Sequence, residues 1–408
     1  MMVDKLEKKI RIRDYNEEKD MRMVGKLEKN CEIGSNKEVS IFTNMMGDPL
    51  SRIISYPLHI MLVAELLENG EVVGVVRGCI KCVGITRFEA TCVRLGCILG
   101  LRVSPKHRRM GIGLKLVKSV EEWLVENGAH YTFLATEKDN VASTNLFTYK
   151  CNYINFASLV IFVQQTSPPI KTLLPFEDIK IEKLQIDQAI SLYNNKLRDK
   201  DIYPKDIEAI LKENLSLGTW VSYFREEDFI ILHNNNQSNN NGKGEENFSA
   251  QNNPSSWVIF SIWNSCEAYR FHITKSNNHP FNKFFHATLS HARDKIFPCL
   301  KLPISDSLQK PFGFLFLYGL YGEGARLEEL MKSIWSFTSR LAENIKDCKV
   351  IITELGVTDP LMQYVPHDQF SMSFIDDLWY LKKVNGVNDE LMATSQAGNN
   401  LFVDPRDF

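Results

Sequence analysis

Between positions 102 and 118 the chain carries Arg102, Lys106, Arg108, Arg109, Lys115 and Lys118 and no carboxylate, although over the whole sequence basic and acidic residues nearly cancel, 48 against 50. A local excess of one sign calls for an anion. Gly111 and Gly113 lie inside this segment, where a backbone without side chains can approach a ligand closely. A helix predicted to start at Leu114 would point unpaired amides and about half a positive charge at the same place. Together these features suit a pyrophosphate. Two common phosphate signatures do not fit. A dinucleotide fingerprint needs a third glycine where Leu116 stands, and a P-loop needs Gly-Lys-Ser/Thr, which the segment lacks.

The flanking pattern predicts the elements that would present this turn. Residues 92–103 form an apolar strand ended by Ser104-Pro105, and Leu114, Leu116, Val117, Val120, Trp123 and Leu124 recur at helical spacing as far as the stop at Asn127-Gly128. A strand at 131–136, a short helix at 141–150 capped by Asn140, and a strand at 158–163 come next. Upstream, the spacing predicts a strand at 9–14, a helix at 16–30, and a hairpin of strands 60–67 and 72–82 turning at Asn69-Gly70.

The run Arg108-x-x-Gly111-x-Gly113 after Val103-Ser104-Pro105, followed by Asn140-x-x-Ser143-x-x-Leu146-Phe147, resembles the acetyl-coenzyme A (acetyl-CoA) motif of the GNAT N-acetyltransferase superfamily, and the resemblance spans residues 9–163. Within it, Asn30-Cys31-Glu32, Gly47-Asp48-Pro49, Arg77-Gly78-Cys79-Ile80-Lys81, the string 101–118 and Lys150-Cys151-Asn152-Tyr153 are similar to the plant hookless-type probable N-acetyltransferases. The resemblance implies an α/β (α+β) fold with a mixed central sheet flanked by helices, and acetyl-CoA as co-substrate. The backbone of Leu101 and Val103 would pair with the pantetheine arm. The amides of Arg108, Arg109, Met110, Gly111, Ile112, Gly113 and Leu114 would cradle the pyrophosphate, and Asn140, Ser143 and Phe147 would complete the site. It further implies a nuclear or cytoplasmic regulator of hormone-dependent growth that acetylates a protein amine.

The chain departs from that pattern where proton transfer is concerned. Seven residues after Asn140 the superfamily usually places a proton-donating tyrosine, and here stands Phe147. Tyr149 lies two residues on, about 200° round a helix, and can replace it only if the helix ends or bends. No carboxylate occurs between Glu89 and Glu121, where some relatives carry a general base, and Cys97 sits in that region. Glu137 is the nearest candidate base, although a solvated carboxylate at a strand end reads the same way. A regulator that binds acetyl-CoA without turning it over fits these departures too.

After a linker at 166–176, a second α/β domain is expected over 177–384. Helices are predicted at 186–196, 204–214 and 281–294, and strands at 220–223, 229–232, 257–263 and 269–273, with a disordered Asn-rich loop at 233–254. The order strand 312–320, Gly322-Glu323-Gly324, helix 326–346, strand 349–354, helix 359–364 and strand 377–384 repeats that of residues 92–163. A diverged internal duplication is the expectation, with a degenerate GNAT-like copy in second place. Glu323 would repel a pyrophosphate there, so this copy would have lost the coenzyme, and residues 385–408 form a tail.

The remaining features point away from other classes. Nine cysteines, an odd number, and a charged N-terminal stretch suggest a soluble protein of a reducing compartment. The apolar window 312–320 is about half a membrane span. Cys79 and Cys82 would face opposite sides of a strand, and His286 and His291 are poorly spaced on a helix, so no metal site is expected. No aromatic residues interleave the basic segment, which argues against direct nucleic-acid binding.

Overall fold

The computed structural model describes residues 9–31, 39–86, 92–166, 177–227, 254–275, 310–366, 371–385 and 400–407. The first half runs β1 (Ile10–Asp14), α1 (Glu17–Asn30), β2 (Val39–Met45), β3 (Leu58–Leu66), β4 (Val72–Ile85), β5 (Cys92–Val103), α2 (Ile112–Glu126), β6 (Tyr131–Glu137), α3 (Val141–Asn145) and β7 (Ile154–Gln165). The second half runs β8 (Ile179–Lys183), α4 (Ile186–Lys196), β9 (Ile202–Pro204), α5 (Ile207–Lys212), β10 (Ser216–Phe224), β11 (Trp257–Asn264), β12 (Tyr269–Lys275), β13 (Gly313–Glu323), α6 (Leu327–Glu343), β14 (Cys348–Gly356) and β15 (Ser371–Lys383).

One mixed sheet spans both halves in the order β1-β3-β4-β5-β6-β15-β7-β14-β13-β11-β10-β8, with β9 paired to β4. The order is symmetric about its centre. Each half contributes five successive strands, and the last strand of each half is inserted next to the fifth strand of the other: β15 beside β6, and β7 beside β14. A second exchange pairs β2 with β12 in a two-stranded sheet. The repeated order of elements is therefore a real structural duplication, but the two copies are interlaced.

Hydrophobic patterning explains the layering. Val75, Cys79 and Val83 of β4 pack with Val24 and Leu27 of α1, while Val76 and Ile80 pack with Leu116, Val117 and Val120 of α2. Strand β4 is consequently apolar on both faces, as a strand covered on both sides must be. Each fully buried aliphatic side chain in these layers contributes about 1.5–3 kcal/mol. On one face lie α1, α4 and α5, and on the other α2 and α6. Helix α1 starts where Asn16 accepts a bond from the Lys19 amide at 3.0 Å, with Glu17, Glu18 and Asp20 in its first turn.

Several predicted boundaries move. Helix α2 begins at Ile112, two residues before Leu114, because Gly111 supplies the left-handed turn that admits it. The helix expected at 141–150 is α-helical only through Asn145 and continues as a π turn, Leu146–Lys150. The helix expected at 204–214 shortens to α5, since residues up to Pro204 pair with β4 instead. The one at 359–364 is a single 3-10 turn, Met362–Tyr364. The strand 229–232, the helix 281–294 with His286 and His291, and nearly all of 166–176 and 233–254 lie outside the described residues.

Residues 400–407 return into the core. Leu401 bridges to Ile202, the Phe402 amide donates to the Ile202 carbonyl at 3.0 Å, and Leu401, Phe402 and Val403 join the central cluster. No helix among the described residues is long and apolar enough to cross a membrane.

Candidate active site

Strands β5 and β6 are parallel neighbours, but they pair only at Leu95↔Tyr131, Gly96↔Thr132 and Cys97↔Phe133. Beyond Cys97 and Phe133 the two strands continue to Val103 and Glu137 without pairing each other, so the sheet opens into a notch. The cause lies in β5. Its register against β4 slips by one residue between Leu99 and Arg102, and Gly100 in the slip has a φ of 59°. A bulge of this kind bends its strand away from a neighbour. Glycine suits this backbone, and a Cβ there would come within 2.6 Å of Arg77 Nη1, so the guanidinium would have to shift. Leu101 and Val103 lie past the bulge on the free limb with no strand partner on the notch side, the Leu101 carbonyl accepting a bond from Arg102 Nη1 at 3.0 Å and the Val103 carbonyl one from Arg108 Nε at 3.3 Å.

The strand leads into a 3-10 segment, Pro105–His107, and then Arg109 and Gly111 both adopt left-handed backbone, with φ of 63° and 78°. Such a conformation in a residue with a side chain costs of order 1–3 kcal/mol and concentrates at functional sites. Gly111 occupies the N-cap of α2, no side chain caps the helix, and its first turn holds no acidic residue. The amides of Ile112, Gly113 and Leu114 therefore face the opening uncapped. An added Cβ at Gly113 meets only ordinary contacts, at 3.6 Å and beyond, so the protein itself does not demand glycine there. Arg108 and Arg109 are exposed, Met110 is half-buried, and the Ile112 side chain points into the core, leaving only its amide for a ligand.

On the far side of the notch, the Asn140 side chain accepts a bond from the Ser143 amide at 3.1 Å, which starts α3. Phe147 is 3% exposed and meets the Tyr153 ring edge-on, with centroids 5.5 Å apart. Tyr149 is 79% exposed. The helix does deviate, through its π turn, yet this leaves Tyr149 pointing to solvent and does not bring it to the place Phe147 fills. The expectation that Tyr149 stands in as the proton donor is corrected on that ground. Glu137 ends β6, half-buried, directly opposite Asp377 of β15. Cys97 is fully buried beside Cys79, and burial and that second thiol push it well above the ordinary thiol range, so it is no nucleophile. Cys82 and Cys92 lie close together across the β4–β5 pair, with Cα atoms 5.7 Å apart, and the Cys79-Cys82 spacing brings nothing together.

Sequence reasoning missed most of the α1 face of the notch. Lys81 of β4 holds Asp407 of the C-terminal segment, which also accepts a bond from the Tyr56 hydroxyl at 2.6 Å, and the Lys81 ammonium lies 5.0 Å from the centre of the Phe133 ring. Burial pulls Lys81 down, but Asp407 and Asp404 outweigh it and keep the ammonium charged. Glu354 of β14 is 6% exposed on the same face of the sheet, beside Gly319 and Leu401 of the second copy. Burial, then the nearby Asp377 and Asp407, push its carboxyl well above the ordinary range. The only sequence signal was a charge inside an apolar strand, which Arg77, Lys81, Glu354 and Asp377 all share.

The chain matches the acetyltransferase (GNAT) family over residues 40–153. It is 35% identical to the "Probable N-acetyltransferase HLS1-like" of Arabidopsis thaliana, over 98% of this chain and 99% of that protein. It is also 35% identical to the "Probable N-acetyltransferase HLS1" of the same plant, over 97% and 99%. To "Acetyl transferase GW6a" of Oryza sativa subsp. japonica it is 28% identical, over 98% and 97%. Among solved structures, Saccharomyces cerevisiae N-myristoyltransferase with bound myristoyl-CoA shares the fold at a TM-score of 0.55 and 10% identity, covering 98% of this chain and 82% of that one. A notch between β5 and β6, an uncapped helix behind it and full-length similarity converge: the chain belongs to the GNAT acetyltransferases, in the group of the HLS1-type probable N-acetyltransferases.

Proposed function

We propose that the protein transfers the acetyl group of acetyl-CoA to an amine on a protein acceptor, using the notch between β5 and β6. The observation that carries this reading is the uncapped, acid-free start of α2 directly behind an unpaired strand limb. The pantetheine amides pair with the backbone of Leu101 and Val103 as an added strand would. The pyrophosphate takes the amides of residues 108–114, with Arg108 and Arg109 at its flank. Asn140, Ser143 and Phe147 bound the opposite limb, Phe147 by packing alone.

The amine lone pair attacks the thioester carbonyl carbon, the carbon–sulfur bond breaks, and the thiolate leaves. The ammonium formed gives up its proton to Glu137, directly or through one water. A thiolate is a good leaving group, so Phe147 in place of an acid is compatible with turnover. A place in nuclear control of hormone-dependent growth rests on the family resemblance.

Calorimetric titration of the full chain with acetyl-CoA tests the coenzyme site, with an Arg108→Glu, Gly111→Glu double variant as control. Thiol release in the presence of candidate amines tests the transfer. Binding by the wild type, loss in the double variant and amine-dependent thiol release are expected. Coenzyme binding without thiol release over a broad panel of amines would instead make the protein a non-catalytic regulator.

A further inference from the structure

The two limbs of the notch carry opposite charge on the α1 face. Counting outward from the last pair, Cys97↔Phe133, four steps reach Leu101 on one limb and Glu137 on the other. Arg102 is next to Leu101, and its strand partner Val75 belongs to the core under α1, which puts the Arg102 side chain on that face. Arg77 lies on the same face and is fully buried. Its Nε donates to the Pro49 carbonyl at 3.0 Å and its Nη2 lies 2.7 Å from Glu28 Oε1. Among the described residues its Nη1 has no hydrogen-bond partner. Among the described residues, the Arg102 guanidinium bonds only the neighbouring Leu101 carbonyl, at 3.0 Å. One carboxylate, Glu28, thus serves two guanidinium groups, and burial, with the added charge of Arg52, draws both below the ordinary arginine range. A guanidinium withdrawn from water and short of an anion is costly, and among the described residues fully buried Arg77 and half-buried Arg102 have one carboxylate between them, which suits an arriving anion.

The other limb is acidic. Glu137 faces Asp377 across β6 and β15, and both are half-buried. A cationic amine is the complement of that floor. Between the limbs Ala135 of β6 is exposed, which leaves the floor of the notch open.

We propose that the acyl acceptor is a peptide amine with an anionic group beside it, the amine lying over Glu137 and Asp377 and the anion meeting Arg102. The inference rests on the transfer reaction proposed above and names its substrate class. The anion is a carboxylate or a phosphate, which Arg102 would bind by the same charge-assisted bonds.

The test compares kcat/KM, by thiol release from acetyl-CoA, for three short peptides in which the acceptor lysine is followed by aspartate, phosphoserine or asparagine. The wild type is expected to favour one or both anionic peptides over the asparagine peptide by about tenfold or more, as a charged hydrogen bond allows. Arg102→Gln should bring that ratio close to one with acetyl-CoA affinity intact, and Arg102→Lys should keep part of it. Equal rates for the three peptides with the wild type would overturn the inference without any variant. So would loss of acetyl-CoA affinity in Arg102→Gln, which would assign the arginine to the coenzyme. Failure of the wild type to bind acetyl-CoA would instead overturn the reading of the notch itself.

Discussion

The two copies of the duplicated unit open their sheets in the same way and then diverge. In the first copy pairing stops at Cys97 and Phe133, and Gly100, three residues on, has a φ of 59°. In the second it stops at Phe316 and Ile352, and Gly319, again three residues on, has a φ of 65°. The loops beyond these glycines are unlike. Eight residues, 104–111, separate β5 from α2, whereas three, 324–326, separate β13 from α6. Eight residues can wrap a diphosphate, and three can only turn the chain. The second helix also carries Glu328 and Glu329 in its first turn, and the second notch is filled. The Tyr193 hydroxyl would lie 2.5 Å from a Cβ on Gly319, and Leu401, Phe402 and Val403 close the space down to about 10 Å³, room for one water. One bulge thus yields a site or a plug, depending on the loop and on what packs into the gap.

The comparison can be broken most severely at the first loop. Arg108→Glu with Gly111→Glu should weaken acetyl-CoA binding by roughly 100-fold or more, because it places two carboxylates against the pyrophosphate amides and forces a side chain into left-handed backbone. Calorimetry reads this directly, and a smaller loss would mean that the two loops differ less than their lengths suggest.

In the second copy the corresponding glycine should matter only for stability. Gly324 has a φ of 111° and a Cβ there would fall 2.2 Å from the Ser255 carbonyl. Gly324→Ala is expected to cost about 2 kcal/mol or more in thermal unfolding while acetyl-CoA Kd changes by less than about twofold.

Glu354→Gln should separate stability from activity. The Glu354 carboxyl is raised above its unfolded value by burial first and by Asp377 and Asp407 next. The native state then holds the extra proton from about pH 4.3 upward, so stability falls as pH rises through that window. Removing the carboxyl should therefore raise Tm by about 1–3 °C at pH 8 and less at pH 5, while acetyl transfer changes by less than about twofold. A Tm difference that grows on acidification would contradict the assignment.

The smallest effect is expected from Tyr149→Phe. Its side chain is largely in solvent, so thiol release should change by less than about twofold, within the usual reach of a surface substitution.

Much of the first copy was legible in the residues. Asn69-Gly70, the Ser104-Pro105 strand end, the basic loop with Gly111 and the Asn140 cap each impose their structure locally, through backbone conformations or hydrogen bonds made within a few residues. Helical and strand periodicities set most of the order of elements in both copies for the same reason, and left β2, β8 and β9 unread. The exchange of β7 and β15, the pairing of β2 with β12, and the return of residues 400–407 to Lys81 and Tyr56 join segments hundreds of positions apart. Periodicity cannot choose among partners that distant, since any apolar strand of the right length would serve. The acidic floor belongs to this second kind: Asp377 comes beside Glu137 only after the two copies have interlaced, because burial and neighbouring charge are properties of the packed sheet and not of either segment.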